Sequence, residues 1–140
     1  DIVEALSHLK ANVDSGVFGA LQEAIAMTLN EEGESYAQRL RDRFRERRDG
    51  AVAALERAGF RFFHPRATFY VWVEVPAPWT SMAYAGLLLE RAGVMVTPGV
   101  GFGAGGDRFF RMALTCPTER IAEAVERMGA VAHAEGELHS

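Results

Sequence analysis

The sequence predicts an α/β fold of two layers, a small mixed or antiparallel sheet with helices packed on one face. Three observations lead there. Two stretches, "TFYVWVEV" and "RFFRMAL", alternate with a period of two. Apolar residues at helical spacing fill the stretches around them. From residue 34 onward the order reads helix, strand, strand, helix, strand, strand, helix. The chain has 140 residues, 49% of them hydrophobic, enough for an ordinary core.

In "DIVEALSHLK", Ile2, Val3, Leu6 and Leu9 recur at helical spacing. "NVDSG" breaks that pattern, and Asp14 or Ser15 can cap the helix that follows, "GVFGALQEAIAMTL". This second helix is apolar nearly all round and is expected to be buried. A long helix is expected from Glu34 to Ala58, with Tyr36, Leu40, Phe44, Val52 and Leu55 along one stripe and Gly59 at its end. "FRFF" reads as a short strand and "HPRA" as a turn. In "TFYVWVEV", Phe69, Val71, Val73 and Val75 share one face; Tyr70, Trp72 and Glu74 share the other. Thr80 or Ser81 caps a helix through "MAYAGLLLERAG", closed by Gly93, and "VMVT" reads as a short strand. The last helix starts near Pro117 and buries Ile121, Val125, Met128 and Ala132, before a frayed tail, "EGELHS".

The net charge of −4 disfavours a nucleic-acid partner, and no apolar run approaches the length of a membrane span. No signal-peptide pattern is present, and the single cysteine, Cys116, suits a reducing, cytoplasmic setting. Residues 39 to 49, "RLRDRFRERRD", hold six arginines against three acids. Asp42 lies three residues from Arg39 and Arg45, and Arg45 four from Asp49, so the segment reads as an exposed, ion-paired helix face. His8, His64, His133 and His139 show no metal-ligand spacing, and Cys116 reads as a small structural residue. Tyr70 and Trp72 read as packing residues.

"TPGVGFGAGGDRFFRMAL" contains Gly101-x-Gly103-x-x-Gly106, the dinucleotide fingerprint. That fingerprint works only where a helix opens after it and supplies free N–H groups to a pyrophosphate. Here an alternating strand follows, so the glycines read as a loop between strands. Within that strand Phe110, Met112 and Leu114 point to the core, while Phe109, Arg111 and Ala113 point away. Beside a glycine loop, Arg111 is either a solvated charge or a bidentate ligand for a carboxylate.

"KANVDSGVFGALQEAI", "RRDGAVAALERAGF", "ATFYVWVEVP", "LLLERAGVMVTPGVGFG" and "DRFFRMALTCPTERIAEAVERM" follow one another in an order that resembles the C-terminal part of fold-type I pyridoxal-phosphate aminotransferases. The resemblance spans nearly the whole chain and is closest to the aspartate/alanine class, within it the diaminopimelate-aminotransferase-like group. It implies that residues 1–32 are a remnant of the large domain and subunit interface. Residues 33–140 would be the small domain with its linking helix. It also implies that Arg111 binds the substrate's α-carboxylate and that the loop Thr97–Gly103 lies near the substrate.

By the same resemblance the full enzyme would transfer an amino group from an amino acid to a 2-oxo acid, use pyridoxal phosphate and form a homodimer. The family's cofactor lysine lies in a serine-lysine motif absent here, so the chain alone is expected to be inactive and to bind no cofactor. The chain starts at Asp1 rather than Met, as a piece of a longer protein would. Lys10, the only lysine, does not match the cofactor lysine. It reads as a surface residue, or as the basic residue that some relatives extend to a neighbouring subunit's active site. The alternative is a non-catalytic α/β module that binds small carboxylates or a partner protein. Such a module would cover the helix around Phe18 to Leu29, whereas a segment of a larger enzyme would expose it.

Overall fold

The order of elements follows from where each apolar stripe can be buried. A computed structural model describes residues 1–14 and 16–135, so Ser15, His139 and the tail from residue 136 lie outside the described residues. The chain divides into two units, Asp1–Arg41 and Asp42–Ser140.

In the first unit α1 runs over Ile2–Val13 and α2 over Gly19–Thr28. Asp1 caps α1, its carboxylate accepting from the N–H groups of Val3 and Glu4 at 2.6 and 3.2 Å. Asp14 does not cap α2 as expected. Its Oδ1 accepts from Gly16 N–H at 2.8 Å and from Lys10 Nζ at 2.7 Å, so the acid closes the helix behind it instead. Phe18 stands at the N-cap of α2 without a side-chain bond. The expectation that α2 is buried also fails within this chain, since Phe18, Leu21, Ile25 and Met27 are all exposed.

Helix α3, Glu31–Arg57, begins three residues before the predicted start, with Glu31, Glu32 and Glu34 in a first turn that favours negative charge. Its last turns bury Ala51, Val52, Ala54 and Leu55. Gly59 (φ 79°) and Gly93 (φ 62°) both take the left-handed conformation that the sequence reading assigned to helix ends.

Four strands form the sheet of the second unit: β1 (Phe62–Phe63), β2 (Tyr70–Glu74), β3 (Thr97–Pro98) and β4 (Phe109–Ala113). Their order is β1-β2-β4-β3, with every pairing antiparallel. The central ladder sets Val71 opposite Met112 and Val73 opposite Phe110. These four, with Val75 and Leu114, form one buried face. Onto it pack α3, α4 (Ser81–Leu87) and α5 (Thr118–Ala134), through Leu55, Tyr84, Ile121, Val125 and Met128. The predicted inner face of α5 is the observed one.

Three local readings are corrected. Phe69 is 39% exposed and does not join the core face. Thr68 before it adopts φ 65°, so residue 69 precedes the regular pleat and packs on Phe44 and Tyr70, with centroids 5.6 and 4.4 Å away. "VMVT" keeps the expected alternation, with Val94 and Val96 buried, but it pairs with the sheet only from Thr97. Val94 N–H is occupied, donating to Leu88 O at 3.2 Å. The helix from Ser81 changes after Leu87 into a π turn, Leu88–Ala92.

Phe110 is fully buried, edge-on to Phe60 at 6.4 Å and tilted against Tyr84 at 5.9 Å. Phe110→Ala would leave a cavity where these rings meet, at a cost of about 3–5 kcal/mol. Urea unfolding should show a lower midpoint with an unchanged slope.

Candidate functional site

The sheet's other face is where the charged residues are. Because Phe110 and Met112 are committed to the core, Arg111 must emerge opposite. The register sets it across from Trp72 on β2 and Thr97 on β3. Tyr70 lies one diagonal step along β2, within reach of a long side chain. The Arg111 guanidinium carbon sits 3.9 Å from the centroid of the Tyr70 ring and 4.7 Å from that of Phe102. A pocket of about 370 Å³ opens there, lined among others by His64, Thr68, Tyr70, Trp72, Phe102 and Arg111. Tyr70 and Trp72, read from the sequence as packing residues, therefore line the same pocket as the arginine.

Neighbouring arginines are treated differently. Glu74 accepts from Arg61 and from Arg108, both at 2.9 Å. Among the described residues no carboxylate forms an ion pair with Arg111, although the side chain is partly buried. A half-buried cation on two rings, with its hydrogen-bond donors uncommitted to an acid, suits an incoming anion.

The glycine loop holds no helix that could serve a pyrophosphate. It winds through two short 3₁₀ turns, Gly99–Phe102 and Ala104–Arg108, directly into β4. Gly103 between them has φ 116°, which a side chain would oppose. Gly99 and Gly106 serve close packing. A Cβ on either would meet the other's carbonyl oxygen at 2.1 Å. Of the fingerprint glycines, Gly103 thus serves a turn and Gly106 a backbone-to-backbone contact, while a Cβ on Gly101 would meet nothing within 4 Å.

That loop is fastened to α4. Thr80 caps α4, accepting from Ala83 N–H at 3.3 Å. Ser81 is fully buried and does other work. Its N–H and its Oγ donate to Asp107 Oδ1 at 3.0 and 2.7 Å, and its Oγ accepts from Val100 N–H at 3.2 Å. Sequence reasoning missed Phe102 and Asp107 in these roles. Both lie in 3₁₀ turns too short for a periodicity to mark them.

The remaining candidates lie elsewhere. Lys10 is exposed on α1, paired with Asp14. In the arginine-rich stretch, Arg45 pairs with Asp42 and Arg48 with Asp49, while Arg47 donates to the carbonyls of Leu114 and Thr115 at 3.2 and 3.1 Å. Cys116 is exposed, and His133 Nδ1 contacts Gly129 O at 2.7 Å. Among the described residues no three His, Cys, Asp or Glu side chains gather as a metal site, and no helix is long and apolar enough to cross a membrane.

An antiparallel sheet backed by helices in this arrangement recurs in known proteins. Residues 1–128 match the family model for aminotransferase class I and II, and the chain belongs to that family, resembling the C-terminal part of its fold-type I members. It is 48% identical over 126 residues to LL-diaminopimelate aminotransferase of Desulforudis audaxviator, and 44% identical over 128 residues to that of Aquifex aeolicus. These matches cover 90% and 91% of this chain but 32% and 33% of the relatives, so the chain spans about a third of their length. An aminotransferase structure from Staphylococcus aureus superimposes with a TM-score of 0.84 at 30% identity, covering 94% of this chain and 35% of that one.

The Asp14 carboxyl is held below its ordinary value, first by the Lys10 ammonium and then by the Gly16 N–H. A depressed carboxyl contributes its contact above the ordinary carboxylate range and loses it as pH falls through the lowered value. Lys10→Ala should therefore move the Asp14 titration upward, as read by carbon NMR of the carboxyl. An unmoved titration would remove the pairing of Lys10 with Asp14.

Proposed function

We propose that this chain is the carboxylate-binding segment of an aminotransferase that moves an amino group from an amino acid to a 2-oxo acid. The single observation behind this is Arg111. Its guanidinium is set on two rings in a pocket, with no acid paired to it among the described residues. Arg111 would bind the α-carboxylate through two parallel hydrogen bonds and so orient the substrate. The relatives' shared name supports LL-diaminopimelate as the amino donor.

Pyridoxal phosphate supplies the electron sink in this family and needs a lysine amine. Lys10 is the chain's only lysine, exposed on α1 and held by Asp14, and no lysine lines the Arg111 pocket. The residues present therefore do not fit a covalent cofactor site, and the lysine would come from another part of a complete enzyme. The isolated chain would be inactive. Exposed Phe18 at the N-cap of α2, with Leu21 and Ile25 on the helix, suits a surface covered by the rest of such an enzyme or by a second subunit of a homodimer. Lys10 is the candidate basic residue directed to a neighbouring subunit's site. A cytoplasmic setting accords with the single free Cys116.

A charge-assisted hydrogen bond of this kind is worth about 1.5–3 kcal/mol. In the complete enzyme Arg111→Ala should lower kcat/KM by about ten- to a hundredfold. Unchanged KM and kcat would refute the role. A second measurement addresses the cofactor. Pyridoxal phosphate is added to the 140-residue chain, the mixture is reduced with borohydride, and the protein is weighed. The expected result is no stoichiometric mass gain that depends on Lys10. A gain abolished by Lys10→Ala would place the cofactor on residue 10 and overturn the reading.

A further inference from the structure

An arginine that reads a carboxylate must hold its fork where the anion arrives. A free arginine samples many rotamers, and ordering it on binding opposes association. The chain limits that freedom at Arg111. Tyr70 comes from β2 and Phe102 from the glycine loop, and the guanidinium lies over both rings at once. Two separate elements thus fix one cation from different directions in the fold.

Phe102 is 52% exposed and could swing away, but its loop is tied down. Val100 N–H reaches the buried Ser81 Oγ, and Ser81 is bonded twice to Asp107 at the far end of the loop. The Trp72 ring stands edge-on to Phe102 at 5.3 Å and limits it from the sheet side. The contact of Gly99 with Gly106 closes the loop on itself. Glu74, the nearest acid on the same face of β2, is occupied by Arg61 and Arg108 and does not draw Arg111 away from the rings.

We infer that Tyr70 and Phe102 are positioning residues that hold the Arg111 guanidinium ready for a carboxylate, with Ser81 and Asp107 holding Phe102 in place. The inference rests on reading Arg111 as the carboxylate's ligand. Its consequence is preorganisation: affinity depends on the rings even though neither need touch the anion. An aromatic ring in each place is what matters, not its hydroxyl.

The test uses the 140-residue chain labelled with ¹⁵N-arginine and titrated with acetate, the Arg111 Nε–H signal being assigned by its loss in Arg111→Ala. Acetate should shift that signal. Phe102→Leu and Tyr70→Leu should weaken acetate binding about three- to tenfold, and move the Arg111 signal away from its ring-shifted position. Phe102→Tyr and Tyr70→Phe should keep both the affinity and the position. Because Phe102 is half-exposed, its replacement leaves the core packed, and unchanged backbone amide shifts verify this. Leucine variants that bind acetate as tightly as the parent would overturn the clamp while leaving Arg111 as the ligand. Equal weakening in the leucine and the ring-keeping variants would also overturn it. An Arg111 signal unmoved by acetate in the parent would remove the carboxylate reading and the inference with it.

Discussion

The pairing of β2 with β4 is the constraint on which the second unit depends. Its register places Val71, Val73, Phe110 and Met112 on one face and Tyr70, Trp72 and Arg111 on the other. A slip of one residue would send the arginine into the core and the valines to the surface. Burying an unpaired guanidinium would cost far more than the ladder gains. The same apolar pressure that builds the core therefore delivers Arg111, the proposed carboxylate ligand, to the open face. Core and site are two sides of one sheet.

From that placement the chemistry follows with few added parts. A pleated sheet offers Arg111 a diagonal neighbour, and β2 supplies Tyr70 there. The loop before β4 folds back to supply Phe102. Polar bonds from Ser81 to Asp107 fasten that loop where no regular ladder could. In the proposed reading the arginine would hold a substrate carboxylate, while the chain's single lysine stands on another unit.

Much of this was legible in the sequence. The alternation of "FFRMAL" sufficed to send Phe110 inward and Arg111 outward, because a half-buried strand has a period of two. Gly59 and Gly93 marked helix ends for a steric reason that needs no tertiary context. What failed depended on context. The sequence offers Asp14 or Ser15 as the cap of the next helix, but Lys10 one turn behind Asp14 competes for its carboxylate. Alternation puts Phe69 on the same face as Val71, Val73 and Val75, but the left-handed Thr68 delays the pleat by one residue. Helix α2 reads as buried from its composition, yet this chain alone does not cover it. The roles of Tyr70, Phe102 and Asp107 arise from contacts between distant segments, and spacing carries no trace of them.

The division of charge around Glu74 has an effect beyond local pairing. The chain as a whole carries −4, yet on this side of the sheet Arg61 and Arg108 share the one carboxylate of Glu74 and Arg111 adds a further, unshared positive charge. The face is therefore a patch of positive potential on an acidic protein. Field lines from it reach into solvent for about one Debye length, roughly 8 Å at physiological ionic strength. An anion drifting past is steered toward the open side of the sheet, and added salt weakens that guidance. Cations meet the opposite bias. By sparing one arginine while neutralising part of the charge beside it, the sheet sorts molecules by sign before any of them makes contact.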